Sequence, residues 1–280
     1  MIGKKKIFIT IIVTLYFVFS FSTLKAQAQW LTSVSHLSDS LFLDLPDTAK
    51  TSISNKIQQT LHENLSRTNS FNELDLKELK RIGCILSPDS SFKLISWNFF
   101  LKNGNSVCYT ILQKKSGSDS CSIFNFNQLK NKDRPNYRFI SNKIPAALYY
   151  KIIPTKCNGF SAYLLLGMNP GDLFIQSKSI ETFYFNENNN PVSGTPIIHI
   201  NNLTTNRLKF EYSSNYRISM KYDEAKKAIV IDHLSPSNPI QEGKYEFYGP
   251  DGSFDALVLQ NDEWRFISDY NLFKSVEKHK

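Results

Sequence analysis

The sequence predicts a mainly β protein, an antiparallel β-meander preceded by a short N-terminal helical segment. Candidate strands recur at roughly 8–12-residue spacing without long helices between them. Phe and Tyr are abundant, at 21 and 13 residues, whereas Gly and Pro number only 11 each, which favours a packed, strand-rich protein. The sheet is expected to be a sandwich or barrel-like, and a propeller is the alternative.

The first 28 residues have the pattern of an export signal. Lys4–Lys6 form a positive start, and Ile7–Phe21 is an apolar run that includes small hydroxyl residues. Leu24–Ala28 ends in a small-x-small pattern, so cleavage after Ala28 is expected. A retained anchor is the alternative, but the polar chain that follows favours removal. We therefore expect an exported protein, periplasmic or else at the cell surface or secreted.

Charge and hydropathy exclude two classes of interaction. The formal net charge is +8, but Lys4, Lys5, Lys6 and Lys25 lie in the signal and the later basic residues are scattered. A nucleic-acid footprint needs clustered Lys and Arg, so we expect no nucleic-acid partner. No later stretch reaches the roughly 18 apolar residues of a spanning helix, so no membrane span is expected after signal removal.

Helical periodicity is confined to the residues before the strands. In Asp47–Arg67, Ile53, Ile57 and Leu61 recur every fourth residue, and Asp47 or Thr48 is placed to cap the start. A second short helix is predicted over 72–82, with the next glycine placed to end it. The predicted segments are a signal peptide over 1–28, a helical segment over 29–83, an antiparallel β domain over 84–268 and a charged tail over 269–280.

From residue 84 onward the pattern is that of short strands separated by turn-rich segments. Asn103-Gly104 between two apolar runs is the strongest hairpin signal. Turn residues also separate the later candidate strands. The predicted strands are Phe92–Leu101, Ser106–Gln113, Ser122–Phe126, Ala147–Ile153, Ala162–Met168, Ile175–Phe185, Pro196–Ile200, Arg207–Tyr212, Tyr216–Tyr222, Ala228–Asp232, Tyr245–Tyr248, Phe254–Leu259 and Trp264–Ile267.

One short pattern occurs twice. Pro88–Phe92 and Pro250–Phe254 share the sequence P-D-[SG]-S-F, and each precedes a strand and a Trp. Pro-Asp-Gly or Pro-Asp-Ser is typical of a type I turn, so two hairpins with similar turns are expected. Propeller blades often carry a similar turn, but two copies about 160 residues apart do not supply a blade period.

Several stretches of the strand region carry a resemblance. They are Ser87–Trp97, Ala147–Pro154, Tyr163–Gly167, Ile231–Pro236 and Phe247–Asp255. In these the chain resembles a group of uncharacterised exported bacterial β-rich proteins with no known activity. The resemblance implies export and a common β-rich fold, and it supplies no catalytic residue.

Four cysteines follow the signal: Cys84, Cys108, Cys121 and Cys157. An oxidising compartment permits disulfides, and four thiols allow three pairings. Cys108 and Cys121 lie on strands predicted to be adjacent, so a bridge between them is geometrically reasonable and would leave Cys84 with Cys157. The alternative is four buried free thiols, because a chain of this size does not need staples. Their spacing does not suggest zinc.

The candidate catalytic residues are Asp232, His233, Asp251 and Asp255. The first two close a predicted strand and the last two flank a Gly-Ser turn. Carboxylates and an imidazole at strand ends could converge as a general acid and base, which hydrolysis of a glycoside or an ester needs. Asp and Gly are also the usual occupants of turns, where carboxylates face water.

Asp251, Ser253 and Asp255 also offer oxygens at positions i, i+2 and i+4, a spacing that can surround Ca²⁺. The full calcium loop places Gly after these oxygens and adds a distant Glu, whereas here the Gly is residue 252. The spacing therefore favours a hairpin turn, and no metal ion or cofactor is expected.

Exposed aromatic side chains would indicate a glycan- or peptide-binding face. We take Tyr184, Tyr248 and Trp264 as the candidate ligand-binding residues. Because alternate strand residues share a face, Phe183 and Phe185 are expected to point inward and Tyr184 outward. Most aromatic residues of such a protein are expected to build its core.

The sequence contains no recognisable catalytic motif. We therefore expect a non-catalytic binding or interaction protein of the periplasm or envelope, with an envelope protein or a glycan as its partner. The alternative is a hydrolase that uses the Asp/His residues near the C-terminus. A subunit of a surface assembly is a third hypothesis, which predicts a large apolar patch or an unpaired edge strand.

Overall fold

The described residues form four layers: a layer of helices and three β-sheets stacked face to face. The computed structural model describes residues 29–73, 76–77, 79–117, 119–126, 139–140, 145–157 and 159–272. The predicted signal peptide and residues 273–280 of the predicted tail lie outside the described residues. No helix among the described residues has the length and apolar character needed to cross a membrane.

The helical layer contains α1 (residues 29–40), α2 (Asp47–Leu65) and α3 (Ser70–Glu73). The predicted helix from Asp47 is present, and its buried residues Ile57 and Leu61 have the expected spacing. Its start is not capped by a side chain, because the N-cap position is Pro46. The carboxylate of Asp47 instead accepts the backbone N–H of Lys102 at 2.8 Å and so ties the helix to the first sheet.

The described residues of the range 72–82 do not form the second helix that the sequence predicts. Only the first two belong to α3, and the described residues that follow make turns closed by hydrogen bonds between residues three positions apart. The N–H of Leu79 bonds to the carbonyl of Leu76, and the N–H of Ile82 bonds to that of Leu79. All three side chains are buried with the helices. Their apolar spacing reflects these turns, and Gly83 begins a strand rather than ending a helix.

The first sheet is a simple antiparallel meander in the order β1-β2-β3-β4. The turn between β2 and β3 is the predicted Asn-Gly hairpin, and Gly104 in it has a φ of 84°, which favours glycine. Both faces of this sheet are covered. Its strands are β1 (Gly83–Leu86), β2 (Phe92–Phe100), β3 (Ser106–Ser116) and β4 (Ser120–Phe126).

The second sheet has the order β5-β9-β8-β7-β6, and β12 pairs with the first half of β8. All of these pairings are antiparallel. The strands are β5 (Phe139–Ile140), β6 (Leu148–Cys157), β7 (Phe160–Asn169), β8 (Ile175–Phe185), β9 (Pro191–Ser193) and β12 (Arg207–Ser213).

The third sheet has the order β11-β10-β16-β15-β14-β13. Only β10 and β16 pair in parallel in it, and a local pattern does not reveal a pairing between such distant segments. The predicted strand over Tyr245–Tyr248 is wrong, because Tyr245–Phe247 is a 3₁₀ helix and only Tyr248 begins a strand. The strands are β10 (Ile198–Ile200), β11 (Leu203–Thr205), β13 (Met220–Asp223), β14 (Ala228–Pro236), β15 (Tyr248–Gln260) and β16 (Glu263–Ile267).

Alternation along central strands holds the four layers together. In β2, Ile95, Trp97 and Phe99 pack on the helices, whereas Phe92 and Leu94 pack on the second sheet. The two faces of β7 likewise contact the first and third sheets. Strands buried on both faces need apolar side chains at nearly every position, and each fully buried large side chain contributes about 1.5–3 kcal/mol.

The mainly β, antiparallel fold with an N-terminal helix is thus confirmed. Within the described residues the strands form open sheets that pack face to face, as in the sandwich alternative, and not a closed barrel.

Candidate binding site

Three of the four candidate catalytic residues meet where β14 and β15 pair irregularly. Asp232 lies opposite Phe254 and Leu234 lies opposite Pro250, so His233 alone faces residues 251–253. Such a bulge changes the direction of side chains on the longer strand. It brings Asp251 and Asp255 to the same imidazole.

His233 is held by a buried carboxylate. Its Nδ1 lies 3.0 and 3.1 Å from the two carboxylate oxygens of Asp255. Asp255 is only 6% exposed and also accepts the backbone N–H of Asp269 at 3.2 Å. On the other side of the ring, Nε2 lies 3.9 Å from Oδ2 of Asp251. This second gap is too long for a hydrogen bond.

These contacts shift two pKa values in opposite directions. Partial burial opposes protonation of His233, but the hydrogen bond to Asp255 and the charges of Asp255, Asp251 and Asp269 outweigh it and raise the pKa of His233. The backbone hydrogen bond from Ser253 lowers the pKa of Asp251. The site therefore favours an imidazolium between carboxylates.

Asp251 is positioned by a turn that occurs twice. In Pro250–Phe254, Oδ1 of Asp251 accepts the N–H and the hydroxyl of Ser253, at 2.9 and 2.8 Å. In Pro88–Phe92, Oδ1 of Asp89 accepts the same two groups of Ser91, at 3.2 and 2.9 Å. The residue between Asp and Ser has a positive φ in both copies. The two copies therefore share their hydrogen bonds, but the expectation of two hairpin turns is wrong: Pro88–Phe92 joins β1 to β2, whereas Pro250–Phe254 lies inside β15, at its irregular pairing with β14.

Asp232 does not belong to this cluster. Its Oδ2 accepts the backbone N–H of Ser219 at 2.8 Å, and its own N–H bonds to the carbonyl of Ser219. Asp232 thus fixes the chain before β13. Its side chain points away from that of His233, because adjacent strand residues point to opposite faces.

The side chains of Asp251, Ser253 and Asp255, which have the calcium spacing, make other contacts. One oxygen of Asp251 accepts both donors of Ser253, and Asp255 is occupied by His233. Within the part of the chain that the structure describes, no group of three His, Cys, Asp or Glu side chains could hold a metal ion.

The three candidate aromatic residues have different surroundings. Trp264 is fully buried, and its indole N–H bonds to the hydroxyl of Thr155 at 2.8 Å, so it is a core residue. Tyr184 is half-buried opposite Val192. Tyr248 is also half-buried, and its ring lies 5.1 Å from that of Tyr245.

Exposed apolar side chains lie on a larger surface, which is formed where turns of all three sheets meet. We call it the loop end and define it as residues 100–105, 169–174, 214–219 and 237–249. Its segments are joined to each other: the N–H of Ser106 bonds to the carbonyl of Gly171, and the N–H of Ser214 bonds to that of Phe174. The exposed large apolar side chains of the loop end are Phe100, Leu173, Phe174, Tyr216, Ile240, Tyr245 and Phe247.

Tyr216 joins the loop end to the His233 cluster. A Cβ atom on Gly249 would lie 2.7–3.0 Å from three ring carbons of Tyr216, so the ring packs directly on the backbone of β15. Gly249 lies opposite Ser235, whose side chain also hydrogen-bonds to Asp251. The Tyr216 ring and Asp251 are therefore neighbours on one face of the hairpin that β14 and β15 form.

The sequence did not single out Leu173 or Phe174 as site residues. Leu173 and Phe174 are 64% and 67% exposed although both are large and apolar. Their turn is held by Oδ1 of Asp172, which accepts the N–H groups of Phe174 and Ile175. An Asp-Leu-Phe sequence directly after Pro-Gly was the available signal, because a tight turn exposes the side chains at its tip.

The predicted bridge between Cys108 and Cys121 is wrong. Both are free thiols, and Cys121 lies opposite Lys115, seven positions along β3 from Cys108. That is about 23 Å at the usual rise per residue, far beyond the reach of a disulfide. Burial raises the pKa of Cys108 to about 11, which makes it an unreactive core thiol. The side chain of Cys157 lies outside the described residues, so its pairing with Cys84 stays a prediction.

No known protein family matches this chain, and no curated protein or solved structure shows significant similarity to it. The resemblance to uncharacterised exported proteins therefore also stays a prediction. The chemistry of the chain has to be inferred from its own residues.

Proposed function

We propose that this protein is an exported, non-catalytic binding module of the cell envelope, and that it holds an envelope protein or a glycan at the loop end. One observation carries the proposal: the loop end exposes large apolar side chains on segments of all three sheets, and hydrogen bonds and ring packing join several of these segments. A contiguous exposed apolar patch is typical of an interaction site. Export rests on the sequence of residues 1–28.

Rigid support of these side chains favours binding over accidental exposure. Leu173 packs against Gly104, and its carbonyl accepts the hydroxyl of Ser214 at 2.6 Å. The carbonyl of Tyr216 accepts the side-chain amide of Gln176, also at 2.6 Å. A surface ordered before binding loses less conformational entropy when a partner arrives.

A melting-temperature screen tests the proposal. The purified protein would be screened against cell-wall fragments, common polysaccharides, and calcium with and without chelator. We expect a saturable rise with a glycan or a cell-wall fragment, since a ligand at 100 times its Kd adds about 2.7 kcal/mol to the folded state. The variant Phe174→Ser should lose this rise.

Phe160→Ser is the matched control. Phe160 is 74% exposed but begins β7, at the end of the sheet opposite to Asn169 and the loop end. The control should keep the rise. A rise that survives in Phe174→Ser would contradict binding at the loop end. Self-association that only Phe174→Ser abolishes, with no ligand found, would instead support a subunit of a surface assembly.

Hydrolysis is the second candidate function, and the orientation of His233 is the observation that favours it. A buried carboxylate fixes Nδ1 of the imidazole, while Nε2 faces the exposed side of the hairpin. A general acid or base is oriented in this way, and the raised pKa of His233 favours the acid role. Release of a chromogenic group from aryl glycosides and esters, abolished in a folded His233→Asn variant, would support an enzyme. Equal rates in the two proteins would contradict it.

A further inference from the structure

The gap between Asp251 and His233 indicates what kind of group the site accepts. Oδ2 of Asp251 and Nε2 of His233 are 3.9 Å apart, too far to bond directly. An oxygen atom beside the line that joins them can lie about 2.8 Å from each, which is the ordinary hydrogen-bond distance. With His233 protonated, that oxygen would accept from Nε2 and donate to the carboxylate. A hydroxyl group can do both at once.

The other contacts of the cluster decide which atoms of Asp251 and His233 remain available to a ligand. Oδ1 of Asp251 already accepts both donors of Ser253, and the Ser235 side chain also hydrogen-bonds to this carboxylate, but each carboxylate oxygen has two lone pairs, so Oδ2 keeps one for a ligand. Asp255 engages Nδ1 of His233, so Nε2 is the nitrogen left for a ligand. The pair is therefore prepared for one bridging hydroxyl.

An aromatic ring lies beside this pair. Tyr216 covers Gly249, two residues before Asp251, which is about 7 Å along the strand. Tyr216 is 45% exposed. Aromatic faces attract the C–H groups of a ligand and the apolar face of a flat ring. A ligand that spans 7 Å with both an apolar C–H face and hydroxyl groups has the chemistry of a sugar.

The net charge of the cluster further restricts the ligand. Asp251 and Asp255 carry two negative charges around a single imidazolium, and Asp269 lies nearby. A phosphate, sulfate or carboxylate group would be repelled. The site thus fits a neutral saccharide better than an anionic one.

We propose that the hairpin face of Tyr216, Asp251 and His233 is a binding subsite for a neutral carbohydrate, with the sugar ring on Tyr216 and one hydroxyl between Asp251 and His233. This inference rests on the proposed binding function and names the ligand class. A lipid surface or a peptide would use the apolar loop end without needing the bridging pair.

Affinity gel electrophoresis tests the inference. The purified protein would be run through native gels that contain dextran, mannan, xylan or arabinogalactan, with polygalacturonate as the anionic comparison. We expect at least one neutral polysaccharide to retard the wild type. Tyr216→Ala and Asp251→Asn should each weaken the binding about tenfold or more, which is the loss expected for a central binding residue. Asn at position 251 keeps the size of the side chain but replaces one acceptor with a donor.

Phe160→Ala is the control, and the melting temperature of each variant shows whether it is folded. Retardation that is unchanged in both Tyr216→Ala and Asp251→Asn would overturn the subsite. Stronger retardation by polygalacturonate would overturn the preference for neutral sugars. The absence of retardation in every gel would overturn the carbohydrate inference, while the Phe174→Ser melting screen would still decide whether the loop end binds another class of partner.

Discussion

Replacing Gly249 with Ala should move the Tyr216 ring without unfolding the protein. The added Cβ would lie 2.7, 2.9 and 3.0 Å from three ring carbons, whereas ordinary contact begins at 3.4 Å. The ring must therefore withdraw by about 0.7 Å. Because Tyr216 is 45% exposed, its ring can do so. Gly249 lacks a positive φ, so the backbone accepts Ala without strain.

The expected changes in stability and binding differ in size. Gly→Ala at a compatible position gains about 0.4–1 kcal/mol through the unfolded chain, and the displaced ring loses a contribution of similar size. We expect the free energy of unfolding to change by less than about 1 kcal/mol. Reordering the ring upon binding costs about 0.5–1.5 kcal/mol, which weakens binding roughly two- to tenfold.

Urea unfolding and affinity electrophoresis measure the two quantities on the same samples. Gly83→Ala is the matched control, because Gly83 is also a strand glycine without positive φ and its added Cβ would meet Ser96 at an ordinary 3.7 Å. It should leave binding unchanged. A loss of more than about 2 kcal/mol in Gly249→Ala would show that the ring cannot move, and unchanged carbohydrate binding would show that its position does not matter. Either result would refute this account of how the Tyr216 ring packs on Gly249 and contributes to binding.

Three further predictions concern stability. The pKa of His233 is raised, so its stabilising contribution is complete below its ordinary pKa of 6.5 and is lost as pH rises through the folded-state pKa. In urea unfolding, the free energy of unfolding of the wild type should therefore exceed that of His233→Asn by more at about pH 5 than at about pH 9. A constant difference would be inconsistent with this linkage. Arg207→Met should cost about 3–5 kcal/mol, because Glu181 has a side chain only 4% exposed and would lose its 2.7 Å partner; the double variant with Glu181→Gln should recover much of this loss in the same assay. Trp97→Phe should cost about 2 kcal/mol in thermal unfolding, since it leaves a void and removes the 2.8 Å hydrogen bond to the buried hydroxyl of Ser54; an unchanged melting temperature would argue against that bond.

Local patterns predicted those parts of the fold that local contacts decide. The strand Ile175–Phe185 has the predicted bounds, and α2 begins at the predicted Asp47. Both segments carry a regular apolar period that the neighbouring layers bury. The helix predicted over 72–82 is wrong because turns with hydrogen bonds between residues three positions apart give Leu residues nearly the same spacing as a helix does.

The site was only partly predictable, because its geometry depends on register. His233, Asp251 and Asp255 could be selected as residue types, but only the pairing of β14 with β15 shows that the irregularity brings them together. The exclusion of Asp232 could have been predicted from strand alternation. The loop end requires the stacking order of three sheets, which no single window of sequence contains.

The two P-D-[SG]-S-F turns allow the contribution of the second carboxylate oxygen to be isolated. Both Asp side chains accept the same two groups of a Ser, so the turn itself should contribute equally in each copy. Their remaining oxygens differ: Oδ2 of Asp89 accepts the hydroxyl of the buried Tyr163, whereas Oδ2 of Asp251 faces His233 at 3.9 Å.

Asp89→Ala should therefore destabilise the protein more than Asp251→Ala. A hydrogen bond to a charged group contributes about 1.5–3 kcal/mol, whereas an exposed ion pair contributes about 0–1 kcal/mol. We expect the two variants to differ by about 1–2 kcal/mol in urea unfolding, with carbohydrate binding weakened only in Asp251→Ala. Equal losses of stability would mean that Tyr163 gains little from Asp89. Equal losses of binding would mean that Asp251 acts through the fold rather than through a ligand. In either case the two turns would have the same structural role. A larger loss of stability in Asp89→Ala and a loss of binding only in Asp251→Ala would instead show that Asp89 stabilises the fold and that Asp251 is available to bind a ligand.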